Sequence, residues 1–179
     1  LRQTLTSQPR LKELIRNPLL CAMVCALNQA WSSHLPTDRI QLYDACISML
    51  LEGRDFERGV DTSHFGVNLS LREKTRLLSK LAYWMMRNNS PVVHVTDAIR
   101  ELGRENWDGS AVLKLFVERS GLLQSHPEEE YDFVHRTFQE YLAAQAIIYQ
   151  GDIGFICSKV EESEWHETNR LVAGIGNTE

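Results

Sequence analysis

From Leu19 to Leu27 every position is apolar, and only Asn28 and Gln29 interrupt the run. Nine apolar residues are far fewer than the roughly 20 that cross a bilayer, so the run predicts a buried helix. Leu20, Met23, Val24, Leu27 and Trp31 give it apolar positions on nearly every side, as suits the central helix of a small bundle. Upstream, a helical pattern from Leu1 breaks at Asn17-Pro18. Proline fits the first turn of a helix but cannot continue one, which makes Asn17 the expected N-cap. Leu35-Pro36-Thr37-Asp38 opens the next helix, with Ile40, Tyr43, Ile47 and Leu50 on one stripe and Leu42, Cys46 and Met49 on the adjoining one. It ends in the charged stretch Glu52 to Arg58.

The periodicity fades from Gly59 to Leu69 and resumes at Ser70-Leu71-Arg72-Glu73, a capping-box pattern. The helix it opens has Leu77, Leu78, Leu81, Trp84 and Met85 as a core face and stops at Asn88-Asn89-Ser90-Pro91. Val92-Val93-His94-Val95 is rich enough in β-branched residues for a short strand, and Thr96 is the expected cap of a second helix to about Glu105. Gly109-Ser110 begins a third, with Val112, Leu115 and Phe116 inward and Gly121 as its stop. Leu122 to His126 and Tyr131 to His135, joined by Pro127-Glu128-Glu129-Glu130, alternate as a hairpin does. Thr137 and Glu140 are spaced as a further capping box for a helix from Phe138 to Tyr149, ended by Gly151, and two short helices follow over Ile153–Val160 and Trp165–Val172.

Helix, strand, helix, helix, hairpin is the order of a winged helix. The expected fold is therefore mainly α. It comprises a helical bundle over 1–58, a winged-helix domain with a short hairpin wing over 59–150, and the start of a further helical unit over 151–179. Position 1 is not Met, and an apolar stretch lies just before Glu179, so a piece of a longer chain is expected.

Composition narrows the function. At 179 residues with 43% hydrophobic and 24% charged, the chain is in the globular range. A net charge of -5 and a pI near 5.7 give no general attraction to nucleic acid or an anionic membrane. Cys21, Cys25, Cys46 and Cys157 lie in helical or apolar stretches without the Gly-rich loops of a stapled domain, so reduced, buried thiols in a cytoplasmic protein are expected. Cys21 and Cys25 have the i, i+4 spacing of half a metal site, but no second Cys or His pair at ligand spacing follows.

Two stretches resemble one family. Leu14-Ile15-Arg16-Asn17-Pro18-Leu19-Leu20, followed by Leu35-Pro36 to Leu51, is similar to the helical segment after the ATPase core of NACHT proteins, which are STAND-class signalling ATPases. Arg119-Ser120-Gly121-Leu122-Leu123 and then Phe133-Val134-His135-Arg136-Thr137-Phe138-Gln139-Glu140-Tyr141-Leu142-Ala143-Ala144 resemble the end of the NACHT winged helix, especially in bacterial members. The second string is specific; Asn-Pro-Leu-Leu is weaker alone. Together they cover essentially the whole chain.

The resemblance implies that Pro18 packs on the adenine of bound nucleotide, and that His135 reaches the phosphates of ADP and holds an inactive, closed arrangement. A rigid apolar ring suits a base, and a histidine before a helix N-terminus suits an anion. It also implies ATP or ADP as cofactor, with Mg²⁺ held by an ATPase core outside this chain. Other domains of the same chain would be partners, with homo-oligomerisation on activation, in defence or stress signalling. Without the resemblance, Pro18 only starts a helix and His135 is an ordinary core or surface residue.

The chain has no Gly-x-x-x-x-Gly-Lys-Ser/Thr phosphate loop, so it is not itself the ATPase. Glu128-Glu129-Glu130 suggests a solvated turn, since three neighbours at a hairpin tip point apart. Two alternatives stand beside the switch. One is a DNA-binding winged-helix regulator reading with Ser110 to Ser120, against which Lys114, Glu118, Arg119 and the acidic wing speak. The other is a protein-interaction scaffold in which Pro18 and His135 never meet nucleotide.

Overall fold

The computed structural model describes residues 18–30, 36, 38–53 and 66–176. Contacts divide the chain into two compact units that meet between Met49 and Leu50. The expected boundary at 58/59, the Asn17 cap and the position of Trp31 lie outside the described residues.

In the first unit, Pro18 opens helix α1 (Pro18–Ala30) as expected. Leu20, Met23, Val24 and Leu27 are buried, but Ala22, Cys25, Asn28 and Gln29 are exposed, so the helix has one buried face rather than an apolar circumference. Helix α2 (Arg39–Ser48) is capped by Asp38, whose carboxylate accepts from Gln41 N at 2.9 Å. A π-helical turn, Met49–Gly53, continues it. Leu42, Tyr43, Cys46 and Ile47 form its buried side; Ile40, Met49 and Leu50 are only half-buried. All four cysteines are unbridged, but the expectation of buried thiols holds only for Cys46. Cys25 and Cys157 are exposed and Cys21 half-buried; for Cys21 and Cys25 the reason is that an unbroken apolar run does not place every member inward.

The second unit is built in the expected winged-helix order. Helix α3 (Leu71–Arg87) begins with the capping box: Ser70 N and Oγ donate to Glu73 Oε2 at 2.8 and 2.6 Å, and Glu73 N donates to Ser70 Oγ. Those bonds favour the charged carboxylate and pull the Glu73 pKa below its usual range. Strand β1 (Val93–His94) leads into α4 (Val95–Leu102), and after a tight turn α5 (Gly109–Leu115) runs into a π turn over Phe116–Ser120. The cap of α4 is His94, not Thr96: His94 Nδ1 accepts from Thr96 N at 3.4 Å, which starts the helix at Val95. A Cβ on Gly109 would lie 2.1 Å from Ile99 O, so only glycine lets α5 start against α4.

Strands β2 (Leu123–His126) and β3 (Glu130–Phe133) form the wing, and β3 lies between β1 and β2 in an antiparallel sheet. The register pairs Leu123 with Phe133 and His126 with Glu130. The turn at Pro127–Glu129 is made with Glu128 and Glu129 at φ 68° and 59°. Both side chains are exposed, as a solvated turn requires.

The string Arg119 to Leu123 is explained by this corner. Ser120, 2% exposed, donates from Oγ to Phe116 O at 2.6 Å and accepts from Leu122 N at 3.0 Å. Gly121 takes φ 63°, and Leu122 and Leu123 are buried. These residues terminate a helix and start a strand.

Helix α6 (Arg136–Gln150) lies along α3 in the most extensive contact of the unit, and Gly151 at φ 70° ends it. Phe138, Tyr141, Leu142, Ala143 and Ala144 are all buried, the alanine pair allowing close approach. Two further helices follow, α7 (Ile153–Ser158) and α8 (His166–Gly176), the latter against α6. Phe155 of α7 has Arg87 4.7 Å above its ring and meets Tyr83 and Trp165 edge-on at 5.9 and 5.3 Å. Among the described residues, no helix is long and apolar enough to cross a membrane.

Candidate functional site

The start of α6 departs from the expected pattern in the feature that bears most on function. Thr137 and Glu140 form no capping box. The N-cap is His135 itself, in an extended conformation at φ -152° and ψ 132°, its Nδ1 accepting from Thr137 N at 3.2 Å. The helix therefore starts at Arg136, and Glu140 turns instead to Arg136, whose Nε donates to its Oε1 at 3.1 Å. Glu140 is 8% exposed, and its carboxylate is bonded to Arg136 rather than to the backbone of the cap.

The cap fixes the chemistry of the imidazole. A ring nitrogen that accepts from a backbone N–H carries no proton, so neutral His135 holds its proton on Nε2. The side chain is exposed, so this N–H is presented to solvent. It stands at the positive end of a 15-residue helix whose first turn holds no acidic residue. Arg136 stands beside it, ion-paired with Glu140 and donating from Nη2 to Glu164 O at 3.3 Å. The outward donor and the positive helix end make a place suited to an anionic group such as a phosphate, with the Arg136 charge already met by Glu140.

Pro18 occupies the first helical position of α1, and its ring is exposed. It belongs to the first unit and His135 to the second. Burial pushes the Cys46 thiol up to about 12, which keeps it protonated and unreactive.

Sequence reasoning missed a second feature near this helix start. A groove of about 460 Å³ lies between the end of α3, strand β3, the first turns of α6 and the segment before α8. Gln139 and Trp165 line it. They lie far apart along the chain, and no spacing rule joins them; Gln139 alone was open to question, as a polar residue among core positions.

The three-stranded sheet, the short hairpin and the helix order define a winged-helix domain followed by further helices. The model for the winged helix-turn-helix domain C-terminal to NACHT matches residues 39–147, more than half of the chain, and the chain belongs to that family. The match starts in α2 and ends within α6, and so includes the whole His135 string. No curated protein matches the chain.

Proposed function

We propose that this chain is the regulatory part of a nucleotide switch, in which Pro18 packs on the adenine of ADP and His135 donates to its phosphates. The nucleotide and its Mg²⁺ belong to an ATPase core preceding these domains, and its contribution when bound is the negative charge that His135 engages. With that contact made, His135 ties the winged-helix domain into a closed, silent arrangement. When the nucleotide is exchanged for ATP, the donor loses its partner and the domain is released. The released parent assembles with copies of itself in defence or stress signalling within the cytoplasm.

One observation carries this reading: His135 caps α6 through Nδ1 and so must present Nε2–H outward at the positive end of the helix. A ligand shifts such an equilibrium only by its differential affinity for the two states, and a donor engaged in one state alone supplies that difference. The DNA-binding reading is less well supported. Lys114 on α5 and Glu118 in the π turn after it are exposed, 3.9 Å apart and self-neutralising, and the wing tip carries two exposed glutamates.

The test is His135→Ala in the full-length parent, measuring ADP that co-purifies with the protein and the signalling output without stimulus. Loss of ADP with spontaneous activity is expected. A variant that keeps its ADP and stays silent overturns the proposal.

A further inference from the structure

The groove beside α6 has the features of a built recognition site. Its apolar surface comes from Met86 and Phe133, with Pro91 at the edge and the fully buried Met85 beneath. Against this surface stand two polar side chains from residues that are 8% and 4% exposed, Gln139 and Trp165. Among the described residues, neither the Gln139 amide nor the Trp165 indole N–H has a protein partner, and neither is among the polar atoms wholly shut off from solvent. Both residues line the groove, so an occupant there is placed to bond their polar atoms. Burying such groups without a partner costs on the order of 1–3 kcal/mol each, so a partner that satisfies them gains accordingly.

The site is also stiff. Trp165 is held edge-on by Phe155, which in turn lies under Arg87 and against Tyr83. Gln139 closes the first turn of α6, the helix that packs along α3. Sites fixed in this way lose little on binding.

The charges select the occupant. Asp132 and Glu164 line the groove, and Glu128 and Glu129 project from the tip of the same hairpin. Asp132 accepts from His126 Nε2 at 2.8 Å, a bond that leaves its charge in place when the imidazole is neutral. The lining cation, Arg136, is already held by Glu140 and by the Glu164 carbonyl. An anionic ligand or a nucleic-acid backbone meets a negative rim here, whereas Lys and Arg side chains meet carboxylates. The Gln139 amide carries a donor and an acceptor on one edge, which matches the N–H and C=O of a peptide backbone. The volume is that of a few residues.

We infer that this groove, lined by Gln139 and Trp165, binds a peptide segment of a partner protein that carries one apolar anchor residue flanked by lysine or arginine. The anchor sits against Met86 and Phe133. Its backbone bonds Gln139 and the indole N–H. The flanking cations face Asp132 and Glu164.

The experiment uses the 179-residue chain labelled with ¹⁵N, reading the indole N–H resonance of Trp165, which is assigned by its disappearance in Trp165→Phe. The probes are three capped peptides, Ac-Lys-Lys-Leu-Lys-Lys-NH₂, the same peptide with Ser for Leu, and the Leu peptide with Glu for each Lys. The Lys/Leu peptide is expected to shift the resonance saturably. The other two should bind at least about tenfold more weakly, the size of one lost buried anchor or charge pair. Gln139→Leu should weaken binding of the Lys/Leu peptide about fivefold or more, since its backbone loses a partner. Glu164→Gln, an exposed change that leaves the fold intact, should weaken it a few-fold at low salt and hardly at all at high salt. An unmoved Trp165 resonance, equal binding of the Ser or Glu peptide, or indifference to both substitutions overturns the inference.

Discussion

Replacing His135 removes two things at once, and the structure allows them to be separated. The cap bond from Thr137 N to Nδ1, 3.2 Å long, contributes about 1 kcal/mol to the stability of a helix start. A neutral N–H donated to a charged phosphate contributes about 1.5–3 kcal/mol, and at 1.4 kcal/mol per tenfold that is a change of about 10- to 150-fold in ADP affinity. His135→Ala loses both. His135→Ser keeps a side-chain oxygen that can accept from the exposed N–H groups of the first turn, but it cannot reach outward as Nε2 does. In urea denaturation of the 179-residue chain, the serine variant should therefore match wild type within a few tenths of a kcal/mol, with alanine about 1 kcal/mol below. In the full-length parent, the dissociation rate of a fluorescent ADP analogue should rise in both variants alike. If the serine variant retains ADP as wild type does, the histidine matters only as a cap and the argument for the phosphate contact fails.

Other predictions concern the scaffold that holds this histidine. Ser120→Ala leaves Leu122 N without its buried acceptor and should lower the unfolding free energy by about 1–3 kcal/mol, measured by urea denaturation. Burial first, and then the hydrogen bond to Asp152, raise the Tyr83 pKa above its ordinary value of 10. A raised folded pKa means stability that is intact below pH 10 and lost as pH climbs beyond it, so the docking of α7 should weaken in that alkaline range. Tyr83→Phe should flatten the fall in melting temperature there, leaving the part due to Cys46, whose shift has the same sign. Gly109→Ala and Gly154→Ala make the same chemical change with opposite results. At Gly109 the new methyl group would come 2.1 Å from Ile99 O, and the needed retreat of α5 should cost about 3 kcal/mol. At Gly154, within α7 and with nothing within 4 Å, the change should stabilise by about 0.5–1 kcal/mol, read as opposite shifts in melting temperature.

Much of the fold could be read from spacing because its elements are held by periodic burial. The Ser70–Glu73 box, Gly121 and Gly151 announce helix ends by rules that depend on a few neighbouring residues, and the structure places helix ends at all three. The two misplaced helix starts share one cause. Cap preferences favour Ser, Thr, Asp and Asn, so Thr96 and Thr137 attract the assignment, whereas the oxygen-free side chains of His94 and His135 do the capping through Nδ1. The exposure of Cys25 was hidden for a different reason: within a run that is apolar at every position, periodicity has no polar residues with which to mark the outer face. The groove was illegible because it joins Gln139 to Trp165 across the fold.

The string from Phe133 to Ala144 matters as a whole because it serves three surroundings within one turn of chain. Phe133 and Phe138 are buried and hold the wing and α6 in place. Between them, His135 is exposed and its free nitrogen is fixed in identity by the backbone it caps. One residue past Phe138, Gln139 faces the groove, and Arg136 lines it while bonding the carbonyl of Glu164 next to Trp165. The first turn of α6 is thus the common wall of the His135 cap and the groove. A displacement that pulls His135 with its capped backbone carries Thr137 N, and hence the whole turn, because an N-cap cannot move without the helix it starts. Arg136 would then strain or release its bond to Glu164 O. The Trp165 resonance should therefore respond in the full-length parent when ADP is replaced by ATP, even with no peptide present. An unchanged resonance would mean that the turn moves as a rigid piece together with α8, and that the two sites are independent.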